Sequence, residues 1–428
     1  MSKLRSVKGM HDHLPAETPR WHRLEEAFRR RAEAYGYGEV RVPVLEPTAL
    51  FVRSIGEVTD IVEKEMYTFR DKAGKGKEGE LLTLRPEGTA SCVRAYIQHA
   101  VGGQEPVSKW YYLGPMYRRE RPAKGRYRQF YQAGCEVYGD PGPYVDAELI
   151  DMVMGLFAEL GISELEVVLN SLGSGATRDR YRDALLAYLR PHAKALSEDS
   201  QRRLERNPLR VLDSKAPQDQ EIAAKAPVIL DFLSDEDRTH FDEVQKTLEA
   251  LGTRYRVDPH LVRGLDYYTR TLFEIKGTGG ELGAQSTLCG GGRYDGMIEQ
   301  LGGKDTPAIG FAMGLERILH VAPEAELPSR VDAVLVVVAP ELRARGLALA
   351  KRLRDAGVRL DFDLRGTSLK SQMRRADKSG ARFALVLGEG ELEKGTIQVK
   401  DLVGAGGQEE VELDALVARL TSPAATLR

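Results

Sequence analysis

Arg263, Asp266, Tyr267 and Tyr268 stand within six residues of one another in Leu261-Val-Arg-Gly-Leu-Asp-Tyr-Tyr-Thr269, just ahead of the strand-like run Thr271-Leu-Phe-Glu-Ile275. A strand selected for packing alone would alternate apolar and polar residues, and these do not. A cation, a carboxylate and two phenols at this spacing suit a ligand that is polar, flat and partly anionic. Gly290-Gly-Gly-Arg-Tyr-Asp-Gly296 sets a second arginine and aspartate in a glycine run. Glycine costs backbone entropy, so such a cluster marks a tight bend or a close approach to a ligand. Taken alone, a polar hairpin with a glycine turn reads the same way.

Two more stretches narrow the chemistry. In Met116-Tyr-Arg-Arg-Glu-Arg-Pro-Ala-Lys-Gly-Arg-Tyr-Arg-Gln-Phe-Tyr-Gln132, Arg118, Arg119, Arg121, Lys124, Arg126 and Arg128 face a single acid, Glu120. An arginine fork grips phosphate oxygens bidentately and stacks on flat rings, the two properties that hold a nucleotide. A solvated basic hairpin is the plainer alternative. Gly310-Phe-Ala-Met-Gly-Leu-Glu-Arg317 delivers Arg317 after an apolar, glycine-spaced run onto a helix expected over Met313–Val321. An arginine so placed is expected to be partly buried and paired with an anion.

The elements that must position these groups begin with an amphipathic helix over Pro19–Tyr35, with Trp21, Leu24, Phe28 and Ala32 on one face. Strands are expected over Val40–Leu45, Leu81–Leu84, Lys109–Leu113 and Gln129–Val137, and a helix over Ala90–Gln98. The two later strands flank the basic loop, which bends at Pro122 and Gly125. Asp71–Glu80, charged and glycine-rich, reads as a hairpin tip. Runs of antiparallel strands without β-α alternation argue for an α+β core.

From Ser174 to Arg254 the chain turns charged and helical, with periodicity at Tyr181–Leu189 and Phe241–Leu251. It reads as an insertion between two halves of the core, 1–173 and 255–325. After Pro328 strands and helices alternate: strands Val331–Val338, Val358–Leu364, Arg382–Leu387 and Thr396–Asp401, helices Glu341–Ala356, Ser368–Ser379 and Leu413–Leu420. Apolar strands in such alternation predict a parallel or mixed sheet covered on both faces, an α/β domain over 331–428. Between Arg343 and Arg382 there are twelve Lys or Arg and four Asp. Lys370, Arg374 and Lys378 recur every four residues, opposite Leu369, Met373 and Ala376. One face should pack and the other present cations.

Length alone allows two or three domains, each with its own core. The 428 residues carry a net charge of −2, so nucleic acid could be held only by local patches. Cys92, Cys135 and Cys289 are too scattered for a disulfide framework or zinc spacing, and His11 with His13 lacks further ligands. No signal-type segment and no run near ~20 apolar residues is present, so a cytoplasmic location without membrane contact is expected.

Taken together, these stretches resemble the class II aminoacyl-tRNA synthetases, and among them the histidyl-tRNA synthetases. Tyr117-Arg-Arg-Glu120 is similar to the second motif of the class and Gly310–Arg317 to the third. Gly36-Tyr-Gly-Glu-Val-Arg-Val-Pro43 is similar to the first, which lies at a dimer interface in that family. Arg263–Tyr268 and Gly290–Asp295 resemble the two segments peculiar to its histidine-specific members. The resemblance covers essentially the whole chain, in the family's order. It implies an antiparallel class II catalytic core with a helical insertion, plus a C-terminal α/β anticodon-binding domain.

The resemblance also implies roles. Arg118 and Arg263 would be catalytic, holding the α-phosphate and the histidine carboxylate from opposite sides. Arg317 would stack on adenine, with Phe130 on its other face and Glu120 reading the exocyclic amine. Glu87, Gly88 and Thr89 would take the α-amino group and Gln132 would link amine to carboxylate. Glu136 and Tyr268, with Tyr267, would hold the imidazole. ATP would be a substrate, with Mg2+ on the pyrophosphate and no metal fixed by protein side chains alone. The partners implied are L-histidine, ATP, tRNA(His) and a second copy of the chain. Arg121, Lys124, Arg126, Lys370, Arg374 and Lys378 would meet the tRNA. Many relatives carry glutamine where this chain has Ala123, a position facing the extra 5′ nucleotide of that tRNA. Its neighbouring cations are therefore the groups available there. Two other readings stay open: a non-enzymatic regulatory relative that binds histidine, which generally lacks the C-terminal domain, and a ligase that adenylates another acid.

Overall fold

A computed structural model describes residues 3–56, 59–72, 78–279, 286–324, 329–404 and 407–421. They fall into two compact units, Met1–Glu324 and Ala325–Arg428.

In the first unit the strands are β1 (Gly38–Glu39), β2 (Leu45–Pro47), β3 (Tyr67–Arg70), β4 (Leu81–Leu84), β5 (Ser108–Tyr117), β6 (Gln129–Tyr138), β7 (Leu165–Ser171), β8 (Tyr255–Val257), β9 (Thr269–Gly277), β10 (Thr287–Arg293) and β11 (Ala308–Gly314). Eight form one sheet in the order β1-β5-β6-β11-β10-β9-β7-β8, and β2-β4-β3 form a small one. The large sheet is antiparallel except at its edges, where β1 runs parallel to β5 and β8 to β7. Strand alternation gives it two different faces. Cys135, Val137, Phe273, Ile275, Ile309 and Phe311 point to one. There they pack against Leu24 and Phe28 of helix Thr18–Ala34, Val153 and Phe157 of helix Pro143–Glu159, and Phe241 and Val244 of helix Asp235–Leu251.

The opposite face is where the site forms, and its registers explain the glycines. Across the sheet, Tyr112, Gly134, Ala312, Gly290 and Glu274 are successive partners, and so are Trp110, Glu136, Gly310, Gly292 and Leu272. Gly134, Ala312 and Gly290 in one row and Gly310 and Gly292 in the other bring nothing larger than a methyl group, which leaves a floor on which others can lie. Gly290–Gly292 thus sit inside a strand, not in a turn: a Cβ at Gly310 would stand 1.8 Å from a Glu136 oxygen, and one at Gly134 would meet the Tyr112 ring at 2.5 Å.

The strand expected over Val40–Leu45 does not form. β1 ends just before it and β2 begins at Leu45, in different sheets, and Val40–Val44 cross between them. Pro43 has no N–H to donate. The carbonyls of Val42 and Pro43 take Arg85 Nη1 at 2.9 and 3.5 Å, and that of Val44 takes the Arg85 amide. The helix expected from Met313 starts at Leu315, because Met313 and Gly314 still pair with Ala133 and Gln132. Of the hairpin read at Asp71–Glu80, residues 73–77 lie outside the described ones; its base is closed by the Asp71 amide on the Glu80 carbonyl, 2.9 Å.

Residues 174–254 fold as helices, among them Gly175–Leu189, Glu198–Arg203, Leu209–Leu212 and Asp235–Leu251. The first three close a second core with Tyr181, Leu185, Leu204 and Val211 on the site side of the sheet.

The second unit carries β12 (Ala333–Val337), β13 (Leu360–Phe362), β14 (Phe383–Leu387), β15 (Thr396–Asp401) and β16 (Gln408–Glu412), in the order β13-β12-β14-β15-β16. The first three are parallel and the last two antiparallel, so the sheet is mixed. Helix Arg343–Asp355 packs on the Leu335 and Val337 face and helix Leu369–Lys378 on the Val334 and Val336 face. Leu369 was expected to pack but is 40% exposed, since it opens the helix directly after the Ser368 cap. Gln372 is buried instead, its amide pairing with both backbone groups of Val337. Among the described residues no helix is long and apolar enough to cross a membrane.

Candidate active site

A cleft of about 1160 Å³ lies on the glycine floor. It gathers Glu87, Thr89, Arg118, Glu120, Phe130, Gln132, Arg263, Tyr267, Tyr268 and Arg317, ten of the expected residues, from widely separated parts of the chain. Three arginines enter it from different segments. Arg118 follows β5; its Nε donates to the Pro86 carbonyl at 2.9 Å and its guanidinium stands 5.2 Å from the Phe130 ring centre. Arg317, on the helix after β11, donates through Nε to Gly125 O and through Nη1 to Thr287 O, both 2.9 Å. Arg263 comes from the loop before β9. Its guanidinium lies across Gly290, where a Cβ would approach Cζ to 2.4 Å, and Nη1 bonds Glu274. Burial opposes the Arg263 charge, but Glu274 and then Tyr268 hold its pKa above the ordinary value. Its Nε is buried without a partner, as is the Gln132 Oε1. Unmet donors and acceptors facing a cleft are what a polar ligand would satisfy.

The acids are held with equal care. Glu87 caps the helix Thr89–Gln98, accepting from the amides of Thr89 at 2.7 Å and Ala90 at 2.9 Å, while burial pushes its carboxyl upward. Gly88 does not line the cleft. It lets the Tyr112 ring approach, since a Cβ there would lie 2.3 Å from it. Glu136 is also set back: its carboxyl lies across Gly310 on the floor, fully buried, and does not itself line the cleft. The Thr89 hydroxyl donates to it at 2.7 Å and the Tyr294 hydroxyl at 2.5 Å, so both its oxygens are engaged. Burial lifts its carboxyl to about 8. It therefore faces the cleft only through Thr89 and Tyr294, which do line it. The Tyr267 and Tyr268 rings lie 4.6 Å apart, tilted by 52°, and Tyr267 meets the Tyr294 ring edge-on at 5.7 Å. Glu316, beside Arg317, accepts from the Tyr131 amide at 2.9 Å and is pushed by burial to about 7.

The expected tRNA contacts fall in both units. Arg121 and Lys124 are exposed in the basic loop, whereas Arg126 lines the cleft, 3.4 Å from Glu120. Lys370, Arg374 and Lys378 are exposed along one helix of the second unit. Among the described residues no cluster of three or more His, Cys, Asp or Glu could hold a metal ion. The three cysteines are buried within the first unit, and burial pushes each thiol well up.

Sequence reasoning missed Glu274, Tyr294 and Arg210. Glu274 had a signal, an acid breaking the apolar run of β9. Tyr294 sat inside the glycine segment already singled out. Arg210 had none, since only tertiary structure brings it to the site.

Residues 9–318 match the family model for histidyl-tRNA synthetase, and residues 332–422 match that for an anticodon binding domain. The chain is similar to the histidine–tRNA ligase of Sorangium cellulosum, 58% identical over 96% of this chain and 95% of that protein. It is also similar to that of Halorhodospira halophila, 51% identical over 97% of each. Among solved structures, the apo histidyl-tRNA synthetase of S. aureus superposes with a TM-score of 0.82 at 37% identity, covering 98% of this chain and 100% of that one.

Proposed function

The chain belongs to the histidyl-tRNA synthetase family, and from that premise we propose how its own residues divide the reaction. It is a class II histidine–tRNA ligase: it activates L-histidine with ATP to histidyl-adenylate, releases pyrophosphate, and transfers the histidyl group to the 3′ end of tRNA(His), releasing AMP.

The first step brings an anionic carboxylate to the α-phosphorus of a polyanion. The two reactants repel, so the protein must supply position and positive charge along the reacting axis. Arg118 and Arg263 are the cations proposed for this, one on each side of the α-phosphate. Arg263 suits the task because Glu274 and the bare Gly290 surface fix its guanidinium before substrate arrives. Arg317 and Phe130 would sandwich adenine, with Glu120 turned from Arg126 to the exocyclic amine. Magnesium would accompany ATP and supply charge to the pyrophosphate that leaves.

Histidine would lie over the glycine floor. Glu87 takes the ammonium group, and Gln132 uses its unpartnered oxygen for the same end. Tyr267 and Tyr268 flank the imidazole, while Glu136 acts from behind through Thr89 and Tyr294. Pairing both ring nitrogens rejects isosteres, because each buried polar group left unpaired costs about 1–3 kcal/mol. The basic face of Lys370, Arg374 and Lys378 is proposed as a tRNA contact, together with Arg121, Lys124 and Arg126. A homodimer is proposed across the segment around Pro43.

The observation that carries these roles is the convergence of three arginines and two buried carboxyls on one glycine-rich floor. The test is exchange of pyrophosphate into ATP with each of the twenty amino acids. Histidine alone should support it; equal exchange with another amino acid would overturn the pocket assignment.

A further inference from the structure

The helical stretch 174–254 does not merely border the cleft; part of it grips the loop that carries Arg263. Arg210, on the short helix Leu209–Leu212, is 6% exposed, and its Nη1 donates to the Arg263 carbonyl at 2.9 Å. Asn207 donates through Nδ2 to Asp266 Oδ2 at 2.7 Å. The Asp266 amide in turn donates to Ile55 O at 3.2 Å. Arg203 and Arg210 both reach Asp60, at 2.6 and 3.6 Å. The loop 263–266 is thus clamped between the helical stretch on one side and the helix Thr48–Ile55 on the other.

A buried cation is costly unless well paired, and an apolar side chain would fill such a seam more cheaply. Arg210 stands 3.6 Å from both Asp60 and Asp213, loose distances for ion pairs. Its short contact is the carbonyl of Arg263. The geometry explains the use of an arginine here. Arg263 has a long side chain with several rotatable bonds, and Glu274 and Gly290 fix only its far end. Arg210 fixes the main chain from which it springs.

We propose that Arg210 is a positioning residue for Arg263, so that the seating of the helical stretch on the loop 263–266 sets the rate of adenylate formation. The proposal rests on the reading that Arg263 serves the reacting phosphate. If the helical stretch shifted, the loop would lose both contacts and activation would slow while the histidine pocket stayed formed.

The test is a double-mutant cycle on the full chain with Arg210→Ala, Arg263→Ala and the pair, read by histidine-dependent pyrophosphate exchange, KM for histidine and thermal melting. Arg210→Ala should lower kcat on the order of a hundredfold, as about an ångström of misplacement does, with KM for histidine little changed. In the Arg263→Ala background the same substitution should cost almost nothing more. Arg210→Lys, which keeps a donor and a cation, should recover part of the rate. Additive losses, or a native kcat in folded Arg210→Ala, would overturn the proposal. A harmless Arg263→Ala would instead overturn the reading beneath it. Should Arg210→Ala fail to fold, Asn207→Ala releases the same loop through Asp266 and enters the same cycle.

Discussion

Gly290→Ala isolates what the bare floor contributes. The added Cβ would stand 2.4 Å from Cζ and Nη2 of Arg263 and 2.5 Å from Nη1. Ordinary contacts of this kind lie at about 3.5–4.0 Å, so the guanidinium must rise by about an ångström or more. The atoms displaced are the end of a long side chain, which can move without disturbing the sheet. Gly290 pairs regularly with Glu274 and Ala312, and alanine in mid-strand is favoured over glycine by roughly 0.5–1 kcal/mol. The fold should therefore survive with little change in melting temperature. Activation should not: an ångström of misplacement costs on the order of a hundredfold in rate, about 2.7 kcal/mol of barrier. Single-turnover formation of histidyl-adenylate, followed beside a thermal melt, separates the two effects. A folded Gly290→Ala chain that activates histidine at nearly the native rate would refute the link between the glycine floor, Arg263 and catalysis.

Other expectations follow from the same geometry. Burial raises the Glu136 carboxyl to about 8 from the 4.5 of a free side chain, so between those values the folded chain holds a proton that the unfolded chain releases. Its contribution to stability is complete below about 4.5 and is lost as the pH rises through about 8. Melting of the parent relative to Glu136→Gln should thus fall steadily from pH 5 to 8, and parallel profiles would contradict this. Replacing Lys370, Arg374 and Lys378 with alanine should weaken tRNA binding and make its salt dependence shallower by about 2–3 units; an unchanged slope would mean a merely solvated face. Removing residues 331–428 should leave histidine-dependent pyrophosphate exchange partly intact while sharply reducing tRNA charging, and loss of both together would show that the units are not separable in function. Sedimentation at micromolar concentration should find two 47.5 kDa chains together, and a fully active monomer would contradict the proposed interface.

What could be read from sequence was whatever depends on neighbours along the chain. The period of Trp21, Leu24 and Phe28 gives the helix that packs there, and the basic loop between two apolar runs gives the hairpin of β5 and β6. Val40–Leu45 looked like a strand because its valines alternate. Nothing local reveals that Arg85, forty residues on, claims the carbonyls that a strand would need. The glycine run suggested a bend or a close approach; Gly296 does turn, at φ 91°, but Gly290–Gly292 lie within β10, where their emptiness makes room for side chains from other segments. The residues proposed for the site followed the same division. Arg263 and Arg317 announced themselves by standing among apolar or glycine-rich neighbours, and Arg118 by opening a dense run of cations. Arg210 looks like any arginine in a charged helical stretch until folding brings it to a backbone carbonyl fifty-three residues away.

The burial of Cys92, Cys135 and Cys289 makes the chain its own clock of opening. Only a thiolate attacks an alkylating reagent, and these thiols are both shielded and held protonated. Modification must wait until the structure around them parts. Where reclosing outruns the reagent, the labelling rate measures the free energy of that opening and not the speed of the chemistry. All three lie before residue 324 and none after it, so the signal reports the first unit alone. Cys135 and Cys289 sit in strands of the floor, whereas Cys92 rides on the helix that Glu87 caps. Their relative rates distinguish a parting of the sheet from a release of that helix. A single exposed cysteine introduced among residues 174–234 would label long before any of them, giving a reporter of that stretch without background from the native thiols.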